Sequence, residues 1–438
     1  MLQKAKKFCG VLMALAILTT MLAGCDSKSN KSQNSVDGTS SVAAANNLDP
    51  LSGEGKNGTI QLKVWAPDAA VSIFNKQCKA FIEKYKDFGT IKISVVPQGE
   101  ADAATSVLTD PDSAADVFGF ACDNIDKLQA TDSLLPIVGN DKTKTEEENI
   151  KAAVDAATIN GKLYAYPETG DNSYCLVYDN SVVSDEEAKT LEGVLKACKA
   201  ANKKFVMDAG SGYYACLFLF TGGVRLEGYE KDNLTQKFND YDEQTVLKTM
   251  MSFHNLFMAY KDYFLNGDTT KVVDGFKSNT VGAGFDGSWN FKSIKDTLGE
   301  RAGFSVLPTI NVDGEDRQII NMFGYKLIGI NAFTKYPATA NELAKYLASE
   351  ECQQQRAEEL NWGPSNISVA ESDLIKNDEA ISAILAQSEY SVPQVRISAT
   401  FWAPLKTFGN KIVDFDTPMT EASCKELLHT TISNIRDE

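Results

Sequence analysis

The stretch Asn160–Asn180, NGKLYAYPETGDNSYCLVYDN, limits this chain's options more than any other. Two short apolar runs, Lys162–Tyr166 and Tyr174–Tyr178, are rich in Tyr, Leu and Val and have strand character. Between them stand Pro167, Glu168, Thr169, Gly170, Asp171, Asn172 and Ser173, including the Pro and Gly that interrupt a strand. A tight hairpin needs only a few turn residues. A polar break of this length points to a chain leaving one body and entering another, although an ordinary surface loop shows the same pattern.

A length of 438 residues exceeds what one core usually supports, so two compact lobes are expected. From Thr59 the pattern alternates between strands and helices. Ile60–Trp65, Ile91–Val95 and Asp116–Ala121 read as strands, and Phe74, Cys78, Phe81, Ile82 and Tyr85 share one helical face. Further along, Leu191–Ala201, Tyr241–Phe264, Asn341–Leu360, Glu379–Tyr390 and Thr420–Ile435 read as helices. Phe205–Met207, Thr280–Phe285, Ser305–Leu307 and Lys326–Asn331 read as strands, giving α/β lobes with largely parallel sheets.

Residues 1–24 look like a targeting segment, with Lys4, Lys6 and Lys7 ahead of the apolar run Val11–Leu22. That run is too short for a permanent membrane span. Leu22-Ala23-Gly24-Cys25 resembles a bacterial lipobox, which predicts cleavage before Cys25 and lipid on its sulfur. Two or more acyl chains there would anchor stably. Residues 25–58 are rich in Ser, Asn, Lys, Gly and Asp and read as a flexible tether. The expected location is the outer face of a cell membrane, held by lipid alone.

Several signals exclude functions. A net charge of −16 leaves no basic field for nucleic acid. Gly282-Ala283-Gly284-Phe285-Asp286-Gly287 has dinucleotide-site spacing, but the glycines fall inside a strand rather than between a strand and a helix. The two histidines, His254 and His429, lie far apart without Cys or carboxylate at ligand spacing, so neither metal nor cofactor is expected. Beyond Cys9 and Cys25, seven scattered cysteines remain, an odd number that suits buried thiols better than a disulfide framework.

Ligands of open α/β sheets bind at the carboxyl ends of strands. Trp65, Phe120 and Trp289 fall at such ends, and Tyr213 and Trp402 where helices start or are interrupted. Aromatic faces match the C–H faces of sugar rings, and neighbouring carboxylates and amides match their hydroxyls.

The motifs together resemble the extracellular solute-binding proteins of ABC importers, and the maltose/maltodextrin-binding proteins in particular. Asn160–Pro167 followed by Leu176–Asp179 is similar to that family's first inter-lobe crossover, and Asp116–Asp123 to its strand ending in an aromatic and a sugar-binding Asp. Gly287-Ser288-Trp289 looks like its Gly-Pro-Trp, and Phe401-Trp402 like its late Phe-Trp. Gly329–Ala332 followed by Asn341–Ala344 resembles the passage after its second crossover.

The resemblance implies a periplasmic-binding-protein-like α/β fold, two lobes joined by a multi-crossing hinge with the ligand cleft between them. The lobes would be 59–167 with 325–370, and 168–324 with 371–438. It implies stacking by Trp65, Phe120, Tyr213, Trp289 and Trp402. Asp68, Asp123 and either Asp171 or Asn172 would bind hydroxyls. Arg396 lies near a candidate segment. The expected partners are an oligosaccharide, first maltose or maltodextrin, and the permease subunits that receive it, with the protein a monomer and not an enzyme. The chain departs from the maltodextrin pattern at Asn124, where Arg is usual, at Gly99-Glu100, where Lys is usual, and in a crossover one residue longer. The sugar is therefore left open. A glycosidase, with two carboxylates beside aromatic platforms, is the rival class.

Overall fold

The computed structural model describes residues 49–231 and 235–436. The signal segment, Cys25 and most of the expected tether lie outside the described residues.

Folded structure begins earlier than Thr59. Leu51 is fully buried. The Glu54 carboxylate accepts from the backbone N–H groups of Ala338 and Thr339 at 3.0 and 2.9 Å. Those donors open the helix Pro337–Leu347 and have no partner within it. One apolar side chain and one capping carboxylate thus attach a stretch whose composition reads as tether.

In the first lobe, Thr59–Ala66, Thr90–Pro97 and Val117–Ala121 run parallel. The helices Val71–Lys84 and Glu100–Thr109 make the connections. Ile60, Leu62, Val64 and Ala66 alternate inward along the first strand. The first helix answers with Ile73, Phe74, Gln77, Cys78 and Phe81 on one face. The long strand Asn321–Ile330 adds antiparallel to Val117–Ala121, and Ala165–Asn172 lies antiparallel on its other side. Ser391–Pro393 pairs parallel with the start of the same long strand.

The second lobe's sheet runs Phe264–Asn266, Lys204–Met207, Val281–Gly287, Tyr174–Asp179, Ala302–Ser305. Tyr174, Leu176 and Tyr178 enter one core, while Cys175 and Val177 enter another on the opposite face. A sheet covered on both faces explains why these strands read as continuous apolar runs. The G-x-G-x-x-G glycines do lie within the strand Val281–Gly287. A Cβ on Gly284 would meet the Val206 carbonyl oxygen at 2.9 Å.

Among the described residues, three segments pass between the lobes. Tyr166 belongs to the first core and Tyr174 to the second, so the chain crosses between them. Asn321–Ile330 crosses back, with Phe323 in a second-lobe core and Leu327 in the first. The third passage runs from Trp362 in the first core to Ala380 in the second. This is the two-lobed α/β fold with a multi-crossing hinge.

The polar break is not a loop. Ala165–Asn172 is one buried strand, with its register shifting against Asn321–Ile330 around Lys326. Two of its carboxylates lie beside buried protein groups. Asp171 accepts from the Gly363 N–H at 2.6 Å, and Glu168 lies 4.0 Å from Arg356.

The seven cysteines beyond residue 48 are buried and unbridged. His254 is buried, with Nδ1 2.9 Å from the Ile412 carbonyl oxygen and Nε2 accepting from the Met419 N–H, a structural role. Among the described residues no group of three or more His, Cys, Asp or Glu could hold a metal ion, and no helix is long and apolar enough to cross a membrane.

Candidate functional site

Between the lobes lies a cavity of about 560 Å³. On the first-lobe side, Val117–Ala121 ends and turns into the short 3₁₀ helix Cys122–Asn124. That turn buries Asp123 and Asn124 at the cavity wall. Asp123 accepts from Asn124 at 3.2 Å and from the Gln394 side-chain amide at 3.0 Å. Lys127 donates to Asn124 at 3.0 Å. Glu100, in the first turn of its helix where the dipole favours a carboxylate, stands 3.4 Å from the Lys326 ammonium. Lys326 in turn lies 4.5 Å over the Trp362 ring.

The second-lobe side is aromatic. Tyr213, in the first turn of the helix Gly212–Thr221, donates its hydroxyl to the Asn172 carbonyl at 3.0 Å. Its ring stands 6.3 Å from Trp289 and 6.3 Å from Trp402, tilted 52° and 48° to them. Two absent side chains make this possible. A Cβ on Gly212 would sit 2.6 Å from the Trp402 carbonyl oxygen, and one on Gly287 would enter the Trp289 indole at 2.2 Å. Both tryptophans are half-buried and pack partly on the second-lobe core.

Five of the sequence-expected residues line the cavity: Asp123, Asn172, Tyr213, Trp289 and Trp402. Phe120 does not, and its expected stacking role is corrected. It is fully buried beside Phe118, with ring centroids 5.6 Å apart, and Ala121 holds the cavity position. Successive strand residues face opposite sides, so a one-residue phase decides the matter. Trp65 packs edge-on to Phe118 and Asp68 is exposed, both away from the cavity lining. Of the two crossover alternatives, Asn172 lines the cavity and Asp171 lies buried, bound to Gly363. Arg396 is exposed, has a left-handed φ of 55° and lines a separate cavity. Sequence reasoning missed Glu100, Lys127, Tyr214, Lys326 and Gln394 on the lining. Tyr214 carried a signal in its adjacency to Tyr213, and Glu100 in standing where the resembled family has Lys.

The charged lining residues, Glu100, Asp123, Lys127 and Lys326, balance in sign. Such a lining suits an uncharged ligand that offers hydroxyls to one wall and C–H faces to the other.

Burial also sets the chemistry of three carboxyls here. It pushes Asp286 up to about 8, Glu168 to about 7 and Asp123 to about 6. Arg356 opposes the shift at Glu168, and Lys127 opposes it at Asp123. Each group binds its proton more tightly folded than unfolded, where carboxyls titrate near ~4. Stability therefore falls as pH rises through the windows from ~4 to these values, and is recovered on acidification. Asp242 and Asp268, lowered by hydrogen bonds, act only below that range. Taking the pH from about 8 to about 5 is expected to raise the melting midpoint by a few degrees. A midpoint that falls over that interval would mean the three carboxyls are well solvated.

Comparison with known proteins bears on the family and the fold. A galactooligosaccharide-binding protein of Bacillus subtilis (strain 168) is 25% identical over 420 residues, covering 92% of this chain and 91% of that one. A chain solved with acarbose superposes with a TM-score of 0.78 at 24% identity, over 87% of this chain and 99% of that one. A maltodextrin-binding protein from L. casei BL23, solved without ligand, gives 0.72 at 22% identity, over 86% and 99%. At these identities the structural likenesses speak for the fold. The family model described as "Bacterial extracellular solute-binding protein" matches residues 74–383, and the chain belongs to that family.

Proposed function

We propose that this protein captures an uncharged oligosaccharide between its lobes and delivers it, chemically unchanged, to the permease subunits of an ABC importer. The observation that carries this reading is the pairing of one aromatic wall, Tyr213 between Trp289 and Trp402, with a polar wall around Asp123. In it the three rings stack on sugar faces, while Asp123 and Asn172 take hydroxyls. The moving bodies are 49–167 with 325–370, and 168–324 with 371–436. Closure about the three crossings buries the ligand, a shift of population driven by binding. An α-glucan such as maltose or maltodextrin is the first candidate. A galactooligosaccharide is the second, favoured by the Bacillus relative's name.

A thermal-shift panel of α-glucans, galactooligosaccharides and other β-linked oligosaccharides separates these candidates. A ligand bound only by the native state adds about 2.7 kcal/mol at a hundredfold excess over Kd, enough to move the midpoint by several degrees. No shift with any member would count against a saccharide ligand.

The protein is further proposed to be a monomer held at the outer membrane face by lipid on Cys25. Cys25→Ala should release it into the medium or leave the signal uncleaved. Normal cleavage with unchanged membrane retention would refute the anchor.

A further inference from the structure

Gln394 sits where the lobes are joined. It follows the strand Ser391–Pro393, and only 4% of its surface is exposed. All of its polar groups are used. The side-chain Nε2 donates to Asp123 at 3.0 Å, and Oε1 accepts from Asn172 at 2.9 Å. Its backbone N–H donates to the Phe323 carbonyl at 2.8 Å, and its carbonyl accepts from the Cys122 thiol at 3.0 Å.

The seat for this side chain is a missing one. A Cβ on Gly324 would lie 2.2 Å from Gln394 Oε1. Gly324 is the register partner of Asn172. That pair marks the crossing itself, since Phe323 packs in the second lobe and Leu327 in the first. One amide thus rests on both hinge strands and holds the cleft carboxylate.

We propose that Gln394 is the positioning residue of the cleft, fixing the Asp123 carboxylate toward the cavity and tying its placement to the two crossing strands. This rests on the reading of the cleft as a saccharide site. A donor aimed at a buried carboxylate favours its charged form and fixes its rotamer. Oε1, held by Asn172, leaves the amide one orientation, with Nε2 toward Asp123. A change in strand crossing that moves Gly324 or Asn172 must therefore move the group that receives the ligand's hydroxyl. Glutamine has no charge of its own, and both ends of its amide are held by protein groups, so its contribution is geometric even though it also lines the cavity.

Two substitutions separate positioning from bulk packing. Gln394→Met keeps the volume and removes both hydrogen bonds. Gln394→Glu keeps the acceptor for Asn172 and turns an acceptor toward Asp123. The titratable groups facing Asp123 are Lys127, Cys122, Tyr213 and Tyr229, and Trp402 is a second side-chain donor to its carboxylate. Burial pushes the Cys122 thiol and the two tyrosine hydroxyls up, out of the neutral range. Between pH 5 and 8, Asp123 then changes charge while the thiol and the two tyrosines stay neutral.

Calorimetric titration of the whole protein with the saccharide selected by the panel should show Gln394→Met about tenfold weaker at pH 7.5, and weaker still on acidification. Gln394→Glu should be weaker at pH 7.5 and regain affinity toward pH 5, where a shared proton restores the bridge. Opposite pH trends in two variants at one position are not a packing effect. If both variants bind like wild type across the range, or both lose affinity in parallel, the proposal is overturned. A second measurement needs no ligand: the Asp123 carboxyl resonance, assigned through Asp123→Asn, titrated in unliganded wild type and Gln394→Met. Its midpoint should move up by about one pH unit in the variant, and an unmoved midpoint would overturn the role. Should wild type bind no saccharide, the ligand reading fails while this titration still decides Gln394.

Discussion

Phe120→Ala is expected to cost about 3–5 kcal/mol of folding stability while leaving the affinity of the surviving folded protein nearly unchanged. The ring is fully buried. It is packed so closely that a Cβ on Gly329 would meet its Cε1 at 2.9 Å. Leu327 lies opposite it across the sheet, and both belong to the first-lobe core. Truncation removes transfer energy and leaves a cavity in the first-lobe core. Chemical denaturation of the unliganded variant measures the first quantity and titration with saccharide the second. A large loss of affinity with little loss of stability would restore Phe120 to the ligand site.

Trp289→Ala and Trp402→Ala are expected to do the reverse. Each ring lines the cavity beside Tyr213, so truncation removes contact made in the complex. Hot-spot aromatics of this kind cost ~2 kcal/mol or more, about thirtyfold in affinity. Unliganded stability should fall by less than for Phe120, because both rings are only half-buried. Part of each ring does rest on the second-lobe core, so some loss is expected. Affinity and ligand-free melting measured on both variants decide the matter. Collapsed melting with normal binding in the folded fraction would make the two tryptophans core residues and misplace the site.

Much of this architecture was legible because local rules coincide. Alternation in Ile60–Trp65 and the helical spacing from Phe74 to Tyr85 reappear as Thr59–Ala66 and Val71–Lys84. The second lobe was harder, since Gly212–Thr221 is apolar all round and shows no periodic face. Ser349 caps a new helix at Glu350, which splits what reads as one helix from Asn341 to Leu360. Glu168 and Asp171 look like loop residues, yet both are buried. A polar side chain says nothing about its surroundings until long-range partners such as Arg356 and Gly363 are known.

The site divides in the same way. Tyr213, Trp289 and Trp402 were accessible because large aromatics next to helix starts or glycines are conspicuous. Lys326 and Gln394 were not. Each is an ordinary polar residue in a strand or just after one, and each reaches the cleft only through the crossing of Asn321–Ile330. The phase error at Phe120 shows the limit of strand-end reasoning, where one residue exchanges cavity for core.

The proposed function requires the cleft to hold an oligosaccharide and release it intact. It is tested most directly by titrating the purified protein with maltotetraose, and with a galactooligosaccharide of similar length, in a calorimeter and then recovering the sugar. Saturable binding of at least one of them is expected, a single ligand per chain, weakened by Trp289→Ala, with no new reducing ends after prolonged incubation. Glu100 and Asp123 both line the cavity, so cleavage is the informative alternative. New reducing ends that vanish in Asp123→Asn would contradict this function and make the protein a glycosidase.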